Sequence, residues 1–137
     1  MQAEPKQLIG LDVGQKRTGI ARASSIARLA EPLATVETTE LQTKLKELFE
    51  QYDPEIVVIG LPRNLNSEDT EQTRWVRDYM KELMSRFPER KFHWQDEALT
   101  TVAAGQESNA KKPTEIDARA AAIILQDFLN EPAGQNV

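Results

Sequence analysis

Three carboxylate positions stand where an isolated charge would be costly. Asp12 closes the apolar run Leu8-Ile9-Gly10-Leu11 and opens a turn, Val13-Gly14-Gln15-Lys16-Arg17, from which a second apolar stretch, Thr18-Gly19-Ile20-Ala21, departs. Asp96-Glu97 follows the alternating segment Phe92-His93-Trp94-Gln95, and Asp117 lies one turn into a helical pattern that begins Pro113-Thr114-Glu115. Taking an unpaired carboxylate out of water costs several kcal/mol, and carboxylates gathered without a cation raise one another's pKa. A divalent cation removes both costs. With no cysteine and a single histidine, His93, thiolate and His-rich metal sites, a cysteine nucleophile and a Ser-His-Asp triad are set aside. The donors left are oxygens, which suit Mg²⁺ or Mn²⁺ and, through them, two-metal phosphodiester hydrolysis.

Each acid also has a plainer explanation. Asp12 could form an Asx-turn with the backbone two residues on, Gly14 supplying a permissive backbone. Asp117 could be a capping-box acid paired with Thr114. Asp96 or Glu97 could open a short helix over 99–106. If both belong to a strand they point to opposite faces, so only one aims at the site. Spacing by itself leaves convergence open.

The elements that must position these groups follow from periodicity. Residues 6–13, 17–24 and 31–37 read as three strands of an antiparallel meander. Leu41, Leu45, Leu48 and Phe49 then recur at helical spacing, behind a capping-box pattern at Thr39 and before Pro54. Ile56-Val57-Val58-Ile59, apolar on both faces, predicts a buried central strand. After the loop Leu61-Pro62-Arg63-Asn64-Leu65-Asn66, Ser67 is positioned to cap a helix with the stripe Val76, Met80, Leu83, Met84 and Phe87, all read as core. A strand over 91–95 follows, with His93 a surface strand residue rather than a ligand. A short helix over 99–106, a last helix over about 115–129 and a frayed tail over 131–137 complete the chain. Right-handed crossovers then give an α/β fold, a mixed five-stranded sheet flanked by helices, with the first strand in the middle and Asp12 at its end.

At 137 residues, 39% hydrophobic and 28% charged, the composition predicts a single domain over 1–137 with a core over about 6–130 and flexible ends. No apolar run reaches the length of a membrane span, and the N-terminus lacks the apolar segment of a signal peptide, so a cytoplasmic protein without membrane attachment is expected. A net charge of −5 argues against wrapping nucleic acid through bulk electrostatics. The charge is uneven, however. Residues 1–30 carry five cations (Lys6, Lys16, Arg17, Arg22 and Arg28) against Glu4 and Asp12, a net of +3, which leaves −8 for the rest. The neighbourhood of Asp12 is locally basic, and Lys16 and Arg17 are candidate phosphate contacts.

These residues resemble a known family. The stretch from Gly10 to Ala21 resembles the opening motif of the YqgF (RuvX) family, ribonuclease-H-like Holliday junction resolvases also described as pre-16S ribosomal RNA nucleases. Ala30-Glu31-Pro32-Leu33, the stretch from Val58 to Asn64, Asp96-Glu97-Ala98-Leu99-Thr100-Thr101 and the stretch from Ile116 to Gln126 match further blocks in order, spanning residues 8 to 129. The resemblance implies a ribonuclease-H-like domain and a metal-dependent nuclease using Mg²⁺ or Mn²⁺. It places the catalytic and metal-binding acids on Asp12, Glu97 and Asp117, with Asp96 as an alternative ligand, and nucleic-acid contacts on Lys16, Arg17, Arg63, Asn64 and Thr100. The implied partner is nucleic acid, an rRNA precursor ahead of a four-way DNA junction, with the oligomeric state open between monomer and weak homodimer. The chain departs from the pattern at Ala98, where an arginine is usual, at Ser24-Ser25, where an acid is often found, and at Ser67, where glycine is usual. Ala98 keeps open a rival reading, a catalytically silent RNA-binding module. A nucleotide-clamping ATPase, whose phosphate loop also begins Asp-x-Gly, would need a second domain.

Overall fold

The computed structural model describes residues 4–98 and 112–137, Ala98 through its backbone alone. The chain runs β1 (Gln7–Val13), β2 (Arg17–Ser24), β3 (Glu31–Glu37), a 3-10 turn (Thr38–Glu40), α1 (Leu41–Tyr52), β4 (Ile56–Arg63), α2 (Glu71–Ser85), β5 (Phe92–Ala98), α3 (Pro113–Asn130) and the single turn α4 (Pro132–Gln135). The strands form one sheet in the order β3-β2-β1-β4-β5. β1 and β2, and β2 and β3, pair antiparallel, while β4 joins β1 and β5 in parallel. The first strand is therefore central, as the sequence pattern predicts. The expected helix over 99–106, and with it Thr100, lies outside the described residues.

Alternation along the strands sorts the side chains onto two faces. Ile9, Leu11 and Val13 of β1 join Ile20, Val57 and Ile59 under the apolar stripes of α1 (Leu41, Leu45, Leu48, Phe49) and α2 (Val76, Met80, Leu83). Leu8, Ala21, Ala23, Ile56 and Val58 face the other way, against Ala121, Ile124, Leu125, Phe128 and Leu129 of α3. β4 is buried on both sides from Ile56 to Leu61, which accounts for its unbroken apolar run.

Helix ends differ from the sequence expectation in instructive ways. No Thr39 capping box forms: α1 is entered through the 3-10 turn, and Glu40 at its N-cap makes no side-chain cap. Ser67 does not cap α2 either; it sits in the preceding loop with a left-handed φ of 59°. The cap is Thr70, whose side chain accepts from the Thr73 amide while the Thr73 hydroxyl accepts from the Thr70 amide. That reciprocal pair is a capping box built on threonine where glutamate or glutamine is usual. α3 starts two residues earlier than expected, at Pro113, with no side-chain cap on Lys112, so Asp117 is not a capping acid. The tail, expected to fray, forms the helical turn Pro132–Gln135, and the Arg28 guanidinium donates to the carbonyls of Leu129, Gly134 and Val137.

α3 lies unusually close to the sheet because glycines stand beneath it. A Cβ on Gly10 would come within 2.7 Å of the Leu125 Cβ, and one on Gly60 within 2.4 Å of the Ile124 side chain. Gly19 is tighter still. A Cβ there would fall 1.8 Å from the carbonyl oxygen of Asp117, a backbone atom that cannot swing away. Gly19→Ala should therefore lift the first turns of α3 and cost about 1–3 kcal/mol or more, measured by chemical denaturation. A gain of stability, the usual result of Gly→Ala where space allows, would show that the helix does not depend on this contact.

Candidate active site

Asp12 is the penultimate residue of β1, directly opposite Gly19 in the antiparallel ladder. Gly19 in turn touches the backbone of Asp117, so one missing side chain brings the two acids into the same neighbourhood. Strand parity settles which face Asp12 takes: Ile9, Leu11 and Val13 point to α1 and α2, and Leu8 points to α3, which leaves Asp12 on the α3 side. The same argument separates Asp96 from Glu97. On β5, Phe92 and Trp94 pack with the α1 and α2 core, whereas His93 lies against the Phe128 ring and Gln95 donates to Glu131, both on the α3 side. Glu97, only 8% exposed, shares the face of Asp12. Asp96 projects to the opposite face, exposed, 3.4 Å from the Arg63 guanidinium.

The acids that share a face are not equally close. Leu11 pairs with Ile59 and Ile59 with Trp94, so the level of Asp12 on β5 is Gln95, and Glu97 lies two residues further along. Two strand spacings across and two residues along put the Asp12 and Glu97 backbones on the order of 10–12 Å apart. Among the described residues no three His, Asp or Glu side chains stand close enough together to hold a metal ion. The expected trio is thus a coupled pair, Asp12 and Asp117, with Glu97 across the strand ends.

Electrostatics mark the pair. Burial and then the charge of Asp117 push the Asp12 carboxyl up to about 6. Asp117, 24% exposed, accepts a 2.8 Å hydrogen bond from Arg17 Nε, which balances one of the two charges. Two carboxylates, one of them buried and repelled by the other, have the chemistry of a divalent-cation site: all donors are oxygens, and an added positive charge would relieve the desolvation and repulsion that Asp12 bears.

The cationic residues divide similarly. Lys16 and Arg17 line a groove of about 580 Å³ with Gln15, Thr35, Val36, Glu37, Thr39 and Thr114. Arg63 faces away from the carboxylate pair, between Asp69 at 3.3 Å and Asp96. The Asn64 carboxamide oxygen accepts from the amides of Asn66 and Glu68, so it shapes its own loop. Both were expected as nucleic-acid contacts; in this structure their polar groups serve the loop before α2. Thr38 carries no sequence signal of a role here, because a threonine just after a strand, beside the capping candidate Thr39, has no diagnostic spacing.

The architecture is that of the ribonuclease-H-like fold. RuvC from T. thermophilus in complex with a Holliday junction substrate superposes with a TM-score of 0.54 at 15% identity, covering 88% of this chain and 91% of that one, and another T. thermophilus RuvC structure gives 0.52 at 14% identity. The family model described as RuvX, Holliday junction resolvase, matches residues 6–131, and the chain belongs to that family. It is accordingly a hydrolase acting on nucleic-acid ester bonds. Similar proteins from Moorella thermoacetica (37% identical, 95% of this chain and 98% of that one), Roseiflexus sp. (35%, 95% and 98%) and Francisella tularensis (34%, 92% and 98%) each carry the name "Putative pre-16S rRNA nuclease".

The raised Asp12 pKa has a consequence for stability. Because the folded-state value lies above the ordinary 3.8, the folded protein binds more protons than the unfolded chain between about pH 4 and 6, and stability falls as pH rises through that window. The full effect is at most about 3 kcal/mol, reduced by whatever solvent reaches the carboxyl. Asp12→Asn should melt higher than the parent at pH 7.5 without divalent cation and lose that advantage near pH 4. Destabilisation at both pH values would make Asp12 a structural turn residue.

Proposed function

We propose that this chain is a divalent-cation-dependent nuclease that hydrolyses phosphodiester bonds in ribosomal RNA precursors, acting in the cytoplasm near the 5′ end of pre-16S RNA. The observation that carries the reading is the coupling of Asp12 to Asp117 at the tip of the central strand, on the face that Glu97 also occupies. Asp12 and Asp117 would bind Mg²⁺ or Mn²⁺ from one side, and Glu97 would face them across the ends of β4 and β5. A bound cation would supply an activated water and stabilise charge on the phosphate.

The chain's own groups do the rest. Asp12, ionised above about pH 6, is ready to bind a cation at neutral pH. Arg17 engages Asp117 through Nε, which leaves its terminal nitrogens for a phosphate oxygen, and Lys16, exposed on the same turn, adds a point charge that holds backbone without reading sequence. The groove of about 580 Å³ lies beside them. No described helix is long and apolar enough to cross a membrane.

The names of the relatives favour an RNA precursor, and the family description favours a four-way DNA junction as the second reading. Paired cuts in a junction require two active sites, so cleavage by a strictly monomeric protein supports the RNA role. Incubating the purified protein with labelled precursor rRNA ends and with a synthetic four-way junction, in Mg²⁺, Mn²⁺ or chelator, separates the readings. Cation-dependent RNA cleavage is expected, lowered at least about a hundredfold by Asp117→Asn. Cleavage of the junction alone would transfer the function to DNA. RNA binding without cleavage under any cation would make the protein a silent binding module.

A further inference from the structure

Behind the β1–β2 turn, on the side away from solvent, four hydrogen bonds meet at one residue. Thr38 is 2% exposed. Its amide donates to the Lys16 carbonyl at 2.9 Å, its Oγ1 lies 2.6 Å from the Gly14 carbonyl oxygen and 2.9 Å from the Thr18 hydroxyl, and its own carbonyl accepts from the Tyr79 hydroxyl of α2 at 2.8 Å. A hydroxyl has one proton. Since the Gly14 carbonyl can only accept, Thr38 donates to it, and Thr18, itself fully buried, donates to Thr38. Every proton in the network is assigned, and each bond polarises the next in the chain from Thr18 through Thr38 to Gly14.

The turn so anchored carries Lys16 and Arg17. It is closed on its other side by the Gly14 amide, which donates to the Arg17 carbonyl at 2.9 Å. Two of its carbonyls, those of Gly14 and Lys16, are therefore tied to a single residue, and that residue is tied through Tyr79 to a helix on the far face of the sheet. Arg17 leaves this turn to reach Asp117 at 2.8 Å.

We propose that Thr38 is a positioning residue of the active site: its hydroxyl and amide fix the Gly14–Arg17 turn so that Arg17 meets Asp117 and Lys16 stands beside it. The inference rests on the nuclease reading for its functional consequence, but not for its structural one. Without the Thr38 hydroxyl the Gly14 carbonyl and the Thr18 hydroxyl both lose a buried partner, and the turn has no reason to keep its present shape. A displacement of about 1 Å in a group that aligns a reacting phosphate costs up to about a hundredfold in rate.

The test compares Thr38→Val, which keeps the shape and removes the hydroxyl, with Thr38→Ser, which keeps the hydroxyl and removes a methyl. Two quantities are read: cleavage of precursor rRNA, and the NMR signal of Arg17 Nε–H, identified by its absence in Arg17→Lys. Thr38→Val should lower cleavage tenfold or more and move the Arg17 signal to the position and fast exchange of a free arginine; Thr38→Ser should keep both within twofold of the parent. If Thr38→Val does not fold, Tyr79→Phe carries the comparison and should shift the same signal in the same direction by a smaller amount. An unmoved Arg17 signal in Thr38→Val and Tyr79→Phe, or equal losses in the serine and valine variants, would overturn the proposal. A parent protein that cleaves nothing would sink the nuclease reading, while the Arg17 signal would still decide the role of Thr38.

Discussion

How near α3 can come to the sheet governs everything else in this protein. The pull is apolar: Ile124, Leu125, Phe128 and Leu129 are each no more than 1% exposed, and burying side chains of that size stabilises by roughly 1.5–3 kcal/mol apiece. The limit is steric, and Gly10, Gly19 and Gly60 set it by offering hydrogen where any other residue would offer carbon. At Gly19 the helix backbone itself rests on the strand. Because Asp12 is paired with that same glycine, the contact that seats the helix also delivers Asp117 to Asp12. A packing constraint is thereby converted into an electrostatic one.

The sheet then sorts its charges by face. On the α3 side, Asp12 is desolvated and crowded by Asp117, with Arg17 balancing part of the charge. On the other side, Asp96, Arg63, Asp69 and Arg77 form a chain of ion pairs, in which the Arg77 contact at 2.6 Å holds the Asp69 carboxyl below the usual carboxylate range. That second group contains its own counter-charges and organises the loop entering α2. In the first, burial and the neighbouring Asp117 charge still hold the Asp12 carboxyl at about 6, with a groove beside it. That residual strain on one carboxyl, not the number of acids, distinguishes a site suited to a cation from one that only staples two elements.

What the sequence discloses is whatever local period and local chemistry decide. The continuous run of β4, the helical stripes of α1 and α2, and the apolar strand ending in Asp12 all follow from spacing alone, and with them the strand order. Features decided by partners far along the chain do not. β5 extends to Ala98 because β4 continues beside it to Arg63, and only that extension fixes Glu97 on one face and Asp96 on the other. The cap of α2 moved from Ser67 to Thr70 because Asn64 folds the intervening loop onto itself. The C-terminal turn is held by Arg28, 101 residues upstream of its Leu129 partner. Thr38 is invisible for the same reason: its partners come from β1–β2 and from α2.

The central claim is that Asp12 and Asp117 form one electrostatic site suited to a divalent cation. Following the Asp12 side-chain carboxyl by carbon-13 NMR through a pH titration, with and without Mg²⁺, tests it most directly. The account expects a midpoint near 6 in the cation-free protein that falls on adding Mg²⁺. A midpoint near the ordinary 3.8, or one near 6 that Mg²⁺ leaves unmoved, would contradict it.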